Sequence, residues 1–267
     1  MYQYFIQISK IRKVVDKINN NMPRIYKKSP LIEALCEIKF MDAEGDFTSW
    51  GDFYQKVKES YPIKTELARG IEFQFTPNAG SINPSEFVKR FTSKDNAQLI
   101  QTTKDFLILN RLSPYLGYEN FKKSFVAVLK SYNEIFLPKR VTQLSMRYVN
   151  QIIIPQEVFS INEYFGLVPV IPEGVTDAIS SIVVQVQIAP QAANHSLQVT
   201  LRSIPSTIEG NSAFFLDIFD AISIDTEFNE NNILKIMDEA HLNIEHVFEK
   251  LIQEKLREVF QEDKENG

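Results

Sequence analysis

Three histidines and one cysteine are the residues of this chain best suited to proton transfer, metal binding or nucleophilic attack. His195 falls in a stretch that reads as a loop, while His241 and His246 fall on a helical pattern near the C-terminus. Five residues of helix turn through about 140°, so His241 and His246 cannot meet at one ion. His241 with Asp238 or Glu245 offers two ligands where three or four are usual. The expectation is no metal and no cofactor, with His241 the one candidate for acid/base work. Its structural alternative is a neighbour's hydrogen bond at the edge of an apolar stripe. Cys36 is the single cysteine, so no intrachain disulfide and no multi-cysteine metal site can form. Alternation from Glu33 to Phe40 puts it on the apolar face with Ala34, Ile38 and Phe40, as a buried thiol rather than a nucleophile. With nine glycines, the chain has no G-x-G-x-x-G or Walker loop, and it lacks H-E-x-x-H and G-x-S-x-G.

Two further groups carry binding chemistry. In Met146-Arg147-Tyr148-Val149-Asn150, an arginine flanked by apolar strand residues needs an anion. Either a carboxylate of the protein or a ligand's phosphate or carboxylate would supply it. The run from Arg111 through Tyr115 to Tyr118 and Phe121 joins an arginine and aromatic rings to a helix start. Helix N-termini attract anions and aromatic rings stack on bases, although rings at this spacing also serve as core. Lys122, Lys123 and Lys130, with Lys139 and Arg140 beyond, form a basic face on the same helix. The candidate binding residues are therefore Arg147, Tyr148, Asn150, Arg111, Tyr115 and Tyr118.

The elements that must position these side chains follow from periodicity. Strand patterns run over Ile32–Phe40, Ile71–Phe75, a hairpin from Gln98 to Leu109 turning at 102–105, and Val141–Ile154. They continue over Ser181–Ile188, Leu197–Ile204 and Ala213–Ile224. Trp50, Phe53, Tyr54 and Val57 mark one helix, and Tyr115 to Tyr132 mark a second that stops before Pro138. A short helix is expected near Ile161–Phe165. The last helix, about 230 to 261, carries Ile233, Met237, Ala240, Ile244, Val247 and Leu251 in a 4-3-4-3-4 rhythm, with Asn229 as its N-cap. Strands in runs broken by a few helices predict an α+β fold. Its mostly antiparallel sheet packs against those helices and grips the long C-terminal one. The expected organisation is a basic extension over 1–22, a sheet-plus-helix unit over 23–155 and a second over 156–267. The two units need not be separate domains.

Net charge is -5, with +6 over residues 1–28 and -7 over 224–267, so the two ends attract each other within or between copies. No run approaches the roughly 18 apolar residues of a membrane span, no secretory signal is visible, and the cytoplasm is the expected location.

The run Tyr26-x-x-Ser29-Pro30-Leu31-x-Glu33-Ala34-x-Cys36-Glu37-Ile38-x-Phe40 resembles the opening of a sporadically distributed prokaryotic family of uncharacterised proteins. The likeness extends through Pro114-Tyr115-x-Gly117-Tyr118-x-x-Phe121, Arg147-Tyr148-x-Asn150, Leu216-Asp217-Ile218, His241 and Phe248, from about Tyr26 to Phe260. It implies Trp at position 118, where Tyr118 keeps an aromatic ring. It assigns no activity, and patchy distribution implies an accessory or defence-type system. The expected function is a non-enzymatic protein-interaction or regulatory module that self-associates through its long last helix. Two alternatives stand beside it. One is an RNA- or nucleotide-binding protein, up to a metal-independent ribonuclease using Arg147, Tyr148, Asn150, Arg111 and His241. The other is a small-molecule pocket between sheet and helix.

Overall fold

Alternation of apolar residues builds the centre of the molecule. In the computed structural model, β1 (Leu31–Met41) buries Ala34, Cys36, Ile38 and Phe40 and turns Glu33, Leu35, Glu37 and Lys39 to the other face. The structure describes residues 24–76, 79–170, 172, 174, 181–188 and 194–262, with the backbone alone over 68–76 and 79–86. The basic extension expected over 1–22, parts of the stretches 168–174 and 189–195, and the last five residues lie outside them.

After β1 come α1 (Ser49–Val57), β2 (Ile63–Thr76), β3 (Ala79–Thr92), β4 (Gln98–Thr102), β5 (Phe106–Leu112) and α2 (Tyr118–Phe136). The second half follows as β6 (Arg140–Ile154), a 3-10 turn at Ile161–Glu163, β7 (Val183–Ile188), β8 (His195–Ile204), β9 (Ser212–Glu227), α3 (Glu230–Leu251) and α4 (Glu254–Phe260). Among the described residues, nine strands join one antiparallel sheet in the order β2-β3-β4-β5-β1-β6-β9-β8-β7. The α+β class is therefore correct. Each half lays down one strand (β1 or β6), then a meander that returns beside it, then a helix. β1 and β6 pair at the centre and tie the halves together.

Both long helices lie on one face. Cys36 stands level with Leu109 on β5 and Met146 on β6, and Leu144 faces Ile222 on β9, so the buried side chains of four strands form one floor. Onto it α2 packs Phe121, Phe125, Val128, Leu129, Tyr132 and Phe136, and α3 packs Ile233, Met237, Ala240, His241 and Ile244. At roughly 1.5–3 kcal/mol for each large side chain buried, this floor is the main source of stability. Asn229 caps α3 as its residue type predicts, its side chain accepting from the Asn232 N–H at 3.0 Å.

Several sequence expectations are corrected. The strand at Ile71–Phe75 is the later part of a much longer β2. Its partner β3 contains Gly80 and Pro84 and shows no clean alternation, so it was not predicted. Thr102 belongs to β4 rather than to the turn, β9 runs on to Glu227, and His195 opens β8 instead of sitting in a loop. Tyr115 precedes α2, because Gly117 with φ +91° separates it from the first helical turn.

The single helix expected from 230 to 261 is broken. Ile252 and Gln253 are extended, and the strip 164–166 docks on the break. The Gly166 N–H donates to the Leu251 carbonyl at 2.7 Å, and the Gln253 N–H donates to the Tyr164 carbonyl at 2.9 Å. A Cβ at position 166 would stand 3.2 Å from the Lys250 carbonyl oxygen, so glycine permits this approach. The apolar stripe runs through the break because both helices bury it within the same chain. Among the described residues no helix is long and apolar enough to cross a membrane.

Candidate functional site

Strand β6 divides the sequence-predicted residues between its two faces. Tyr148 and Asn150 point to the helix side, and Arg147 points away. On the outer face, Arg147 Nε and Nη2 donate to Asp217 Oδ1 and Oδ2 on β9 at 2.8 and 2.5 Å, a bidentate cross-strand pair. This bond, with the remaining attraction of Asp217, raises the guanidinium pKa against the opposing effect of burial. A row of hydrogen bonds leads up to it across the same face. Arg90 donates to Gln101 (3.2 Å), Gln101 to Asn110 (3.1 Å) and Asn110 to Glu33 (2.5 Å). Diagonal neighbours on adjacent strands make such a row possible. Arg147 thus closes a brace across the face turned away from the helices, and its anion is an internal carboxylate. Asn150 donates to the Leu216 carbonyl at 3.1 Å and is spent on the backbone of β9.

On the helix side, Tyr148 meets His241 of α3. The Tyr148 hydroxyl and His241 Nδ1 are 2.8 Å apart, the Tyr115 hydroxyl is 3.4 Å from that of Tyr148, and His241 Nε2 is 3.4 Å from Glu245 Oε1. With Nε2–H facing the Glu245 carboxylate, Nδ1 is the acceptor and Tyr148 the donor. The four groups then form one directed chain, Tyr115 to Tyr148 to His241 to Glu245. The Tyr118 ring covers the imidazole, stacked at 3.6 Å and 12°. Its hydroxyl donates to Asp238 at 2.7 Å, and Lys122 clamps the same carboxylate at 2.6 and 2.8 Å.

Burial governs the protonation of this cluster. Desolvation lowers His241 to about 4, with Asp238 opposing and Lys122 assisting. Desolvation, then the neighbouring Glu249, raises Glu245 to about 7. Tyr115 rises to about 12, and Tyr118 and Tyr148 are raised as well, burial being the first cause in each. A neutral imidazole of this kind can relay a proton. Yet His241 is only 8% exposed and one ring face is blocked by Tyr118, so a reacting group has little approach. Arg147 lies across the sheet, and Lys122 is taken by Asp238.

A second polar cluster escaped the sequence reading. Asp220, fully buried on β9 beneath α3, accepts from Asn243 Nδ2 at 2.9 Å and stands 3.6 Å from His195 Nδ1. The other nitrogen of His195 is 3.2 Å from Glu239. Asp220 first and Glu239 second hold His195 protonated, with a pKa raised to about 9. The signal was present: in Leu216-Asp217-Ile218-Phe219-Asp220-Ala221-Ile222, Asp220 occupies the apolar register of Leu216, Ile218 and Ile222. A carboxylate there demands a cation. His195 lay unassigned because no sequence pattern brings the first residue of β8 beside the last third of β9.

Arg111 and Tyr115 do come together, at a cavity of about 180 Å³ between the β4–β5 edge and the start of α2. Gln98, Asn120, Lys123 and Ser124 complete its polar wall. Cys36 is fully buried and its thiol pKa is pushed up by burial, then by Glu37, as befits a core residue. Among the described residues no group of three His, Cys, Asp or Glu is placed to hold a metal ion. Comparison of the chain with models of protein families and with curated proteins finds no match in either.

Proposed function

We propose that this protein is a non-enzymatic interaction module that self-associates by strand pairing at β7. The observation that carries this reading is the contrast between the two edges of the sheet. At one edge, β2 carries Lys64 and Glu66, charges that discourage pairing with another chain. At the other, Val183-Val184-Gln185-Val186-Gln187-Ile188 carries no charge, no proline and no glycine, and among the described residues no strand pairs with its outer side. Val183 is 75% and Ile188 43% exposed.

A second copy is the partner that suits this edge. Val184, Val186 and Ile188 stand level with Leu201, Val199 and Leu197 of β8, so they continue the apolar floor to a rim that α3 leaves partly open. An antiparallel pairing about a two-fold axis at Val186 sets each Val184 against Ile188 of the other copy and Val186 against itself. The floor then runs from one molecule into the next. The polar candidates point the same way: Arg147, Tyr118, Tyr148, Asn150 and His241 each have a partner inside the chain, which suits a braced scaffold.

Size-exclusion chromatography with light scattering tests this directly. The full chain is expected to elute as a dimer. Val186→Lys, which sets two ammonium groups face to face on the axis, is expected to be monomeric with unchanged far-UV circular dichroism. A parent protein that stays monomeric at high concentration overturns the reading, and so does a Val186→Lys protein that stays dimeric.

A further inference from the structure

We infer that the cavity between β4, β5 and α2 binds a small oxyanion, a phosphate or carboxylate group, between Arg111 and Lys123. Most cations near the candidate residues are matched by carboxylates: Arg147 by Asp217, Lys122 by Asp238, Lys130 by Glu230 and Arg140 by Asp225. Arg111 and Lys123 are not. They line one cavity, and among the described residues no carboxylate lies within 4 Å of either. Asp95 feels Arg111 at longer range, but its carboxylate is already taken by the Ser93 hydroxyl at 2.6 Å and the Ala97 N–H at 3.0 Å.

The hydrogen bonds around the wall show which donors remain. Arg111 Nε and Nη2 donate to the Pro114 carbonyl at 3.1 and 3.0 Å, which fixes the guanidinium plane and leaves Nη1 unspent. Gln98 accepts from Tyr61 at 2.7 Å and donates to Ser124 at 3.2 Å. Ser124 donates to the Asn120 carbonyl at 3.1 Å, and Asn120 donates to the Leu116 carbonyl at 2.7 Å. The neutral side chains thus satisfy one another, and the two cations keep donors with no acceptor. Two like charges beside one cavity repel, and an anion between them turns that repulsion into two charge-assisted bonds.

Size narrows the class. About 180 Å³ is several times the roughly 30 Å³ share of one water and well below the roughly 300–1,000 Å³ of sites for drug-sized ligands. A phosphate or a short carboxylic acid fits those bounds, with the Tyr115 ring as an apolar wall for any small substituent.

Thermal unfolding of the full chain in sodium phosphate, sodium succinate and sodium chloride at matched ionic strength tests the site. Phosphate, succinate or both should give a saturable rise in Tm over chloride. That rise should reach about 3–5 °C at ten times the half-saturating concentration. It should vanish in Arg111→Gln and in Lys123→Gln. The second variant alters an exposed side chain with no structural bond, so it guards against a folding defect at Arg111. A rise with one anion alone identifies the acid group of the ligand. A linear rise of equal slope in parent and variants is the general exclusion effect of such salts and overturns the inference, as does no rise at all.

Discussion

Replacing Asp220 with alanine is expected to lose about 3–5 kcal/mol of stability at neutral pH, the usual effect of removing one partner from a buried charge pair. The carboxylate is fully buried, it accepts from Asn243, and it is the first of the two acids that keep His195 protonated. The pH dependence identifies the mechanism. His195 has a folded pKa of about 9 against an ordinary 6.5. Its stabilisation is therefore complete below about 6.5 and is lost as pH rises through 9. The parent should weaken across that window by about 3 kcal/mol, while Asp220→Ala, which keeps only Glu239 beside the imidazole, should weaken much less there. Glu245 also titrates near 7, and because its folded value is raised, it too favours the folded state more at lower pH. The difference between parent and variant removes this shared contribution. His241 acts at the other end: its depressed pKa means stability present above about 6.5 and lost as pH falls toward 4. Urea titrations at pH 4, 6, 7.5 and 9.5 measure all of this. A parent as stable at 9.5 as at 6 would contradict the assignment of His195.

Phe53→Ala is expected to cost about 3–5 kcal/mol through the transfer free energy of the ring and the cavity left behind. Phe53 is fully buried on α1, with ring centroids 5.5 Å from Phe91, 6.1 Å from Tyr132 and 5.9 Å from Phe136. It wedges α1 between the sheet and α2, so its loss loosens two elements together. Phe53→Leu, which keeps most of the volume, should cost less than half as much. A shift of the urea midpoint without a change in slope would confirm a packing effect. Equal losses in the two variants would show that ring shape rather than volume matters there.

Much of the fold is legible because one rule, alternation, governs most of its strands. Ala34, Cys36, Ile38 and Phe40 announce a buried face, and Asn229 announces the start of α3. The misses share a cause. The end of α3 is set by Tyr164 and Gly166, nearly ninety residues away, which occupy the backbone groups at Leu251 and Gln253. A continuous apolar stripe carries no sign of that. The order of strands is equally silent, so neither the edge position of β7 nor the opposition of Arg147 and Tyr148 across the sheet could place the candidates relative to one another. Arg147 showed that it needed an anion, but only the register of β6 with β9 names Asp217. His241 was visible as a histidine beside an apolar stripe. Its bond to Tyr148, 93 residues away, and the Tyr118 ring upon it depend on α2 and α3 lying side by side on one floor.

Hydrogen exchange of the peptide spanning Ile182–Ile188, followed by mass spectrometry at low and high protein concentration, tests the pairing of β7 most directly. Outward amides of β7 should exchange quickly in the dilute sample, become protected in the concentrated one, and stay unprotected at both concentrations in Val186→Lys. Exchange of this peptide that is the same at the two concentrations would contradict the account.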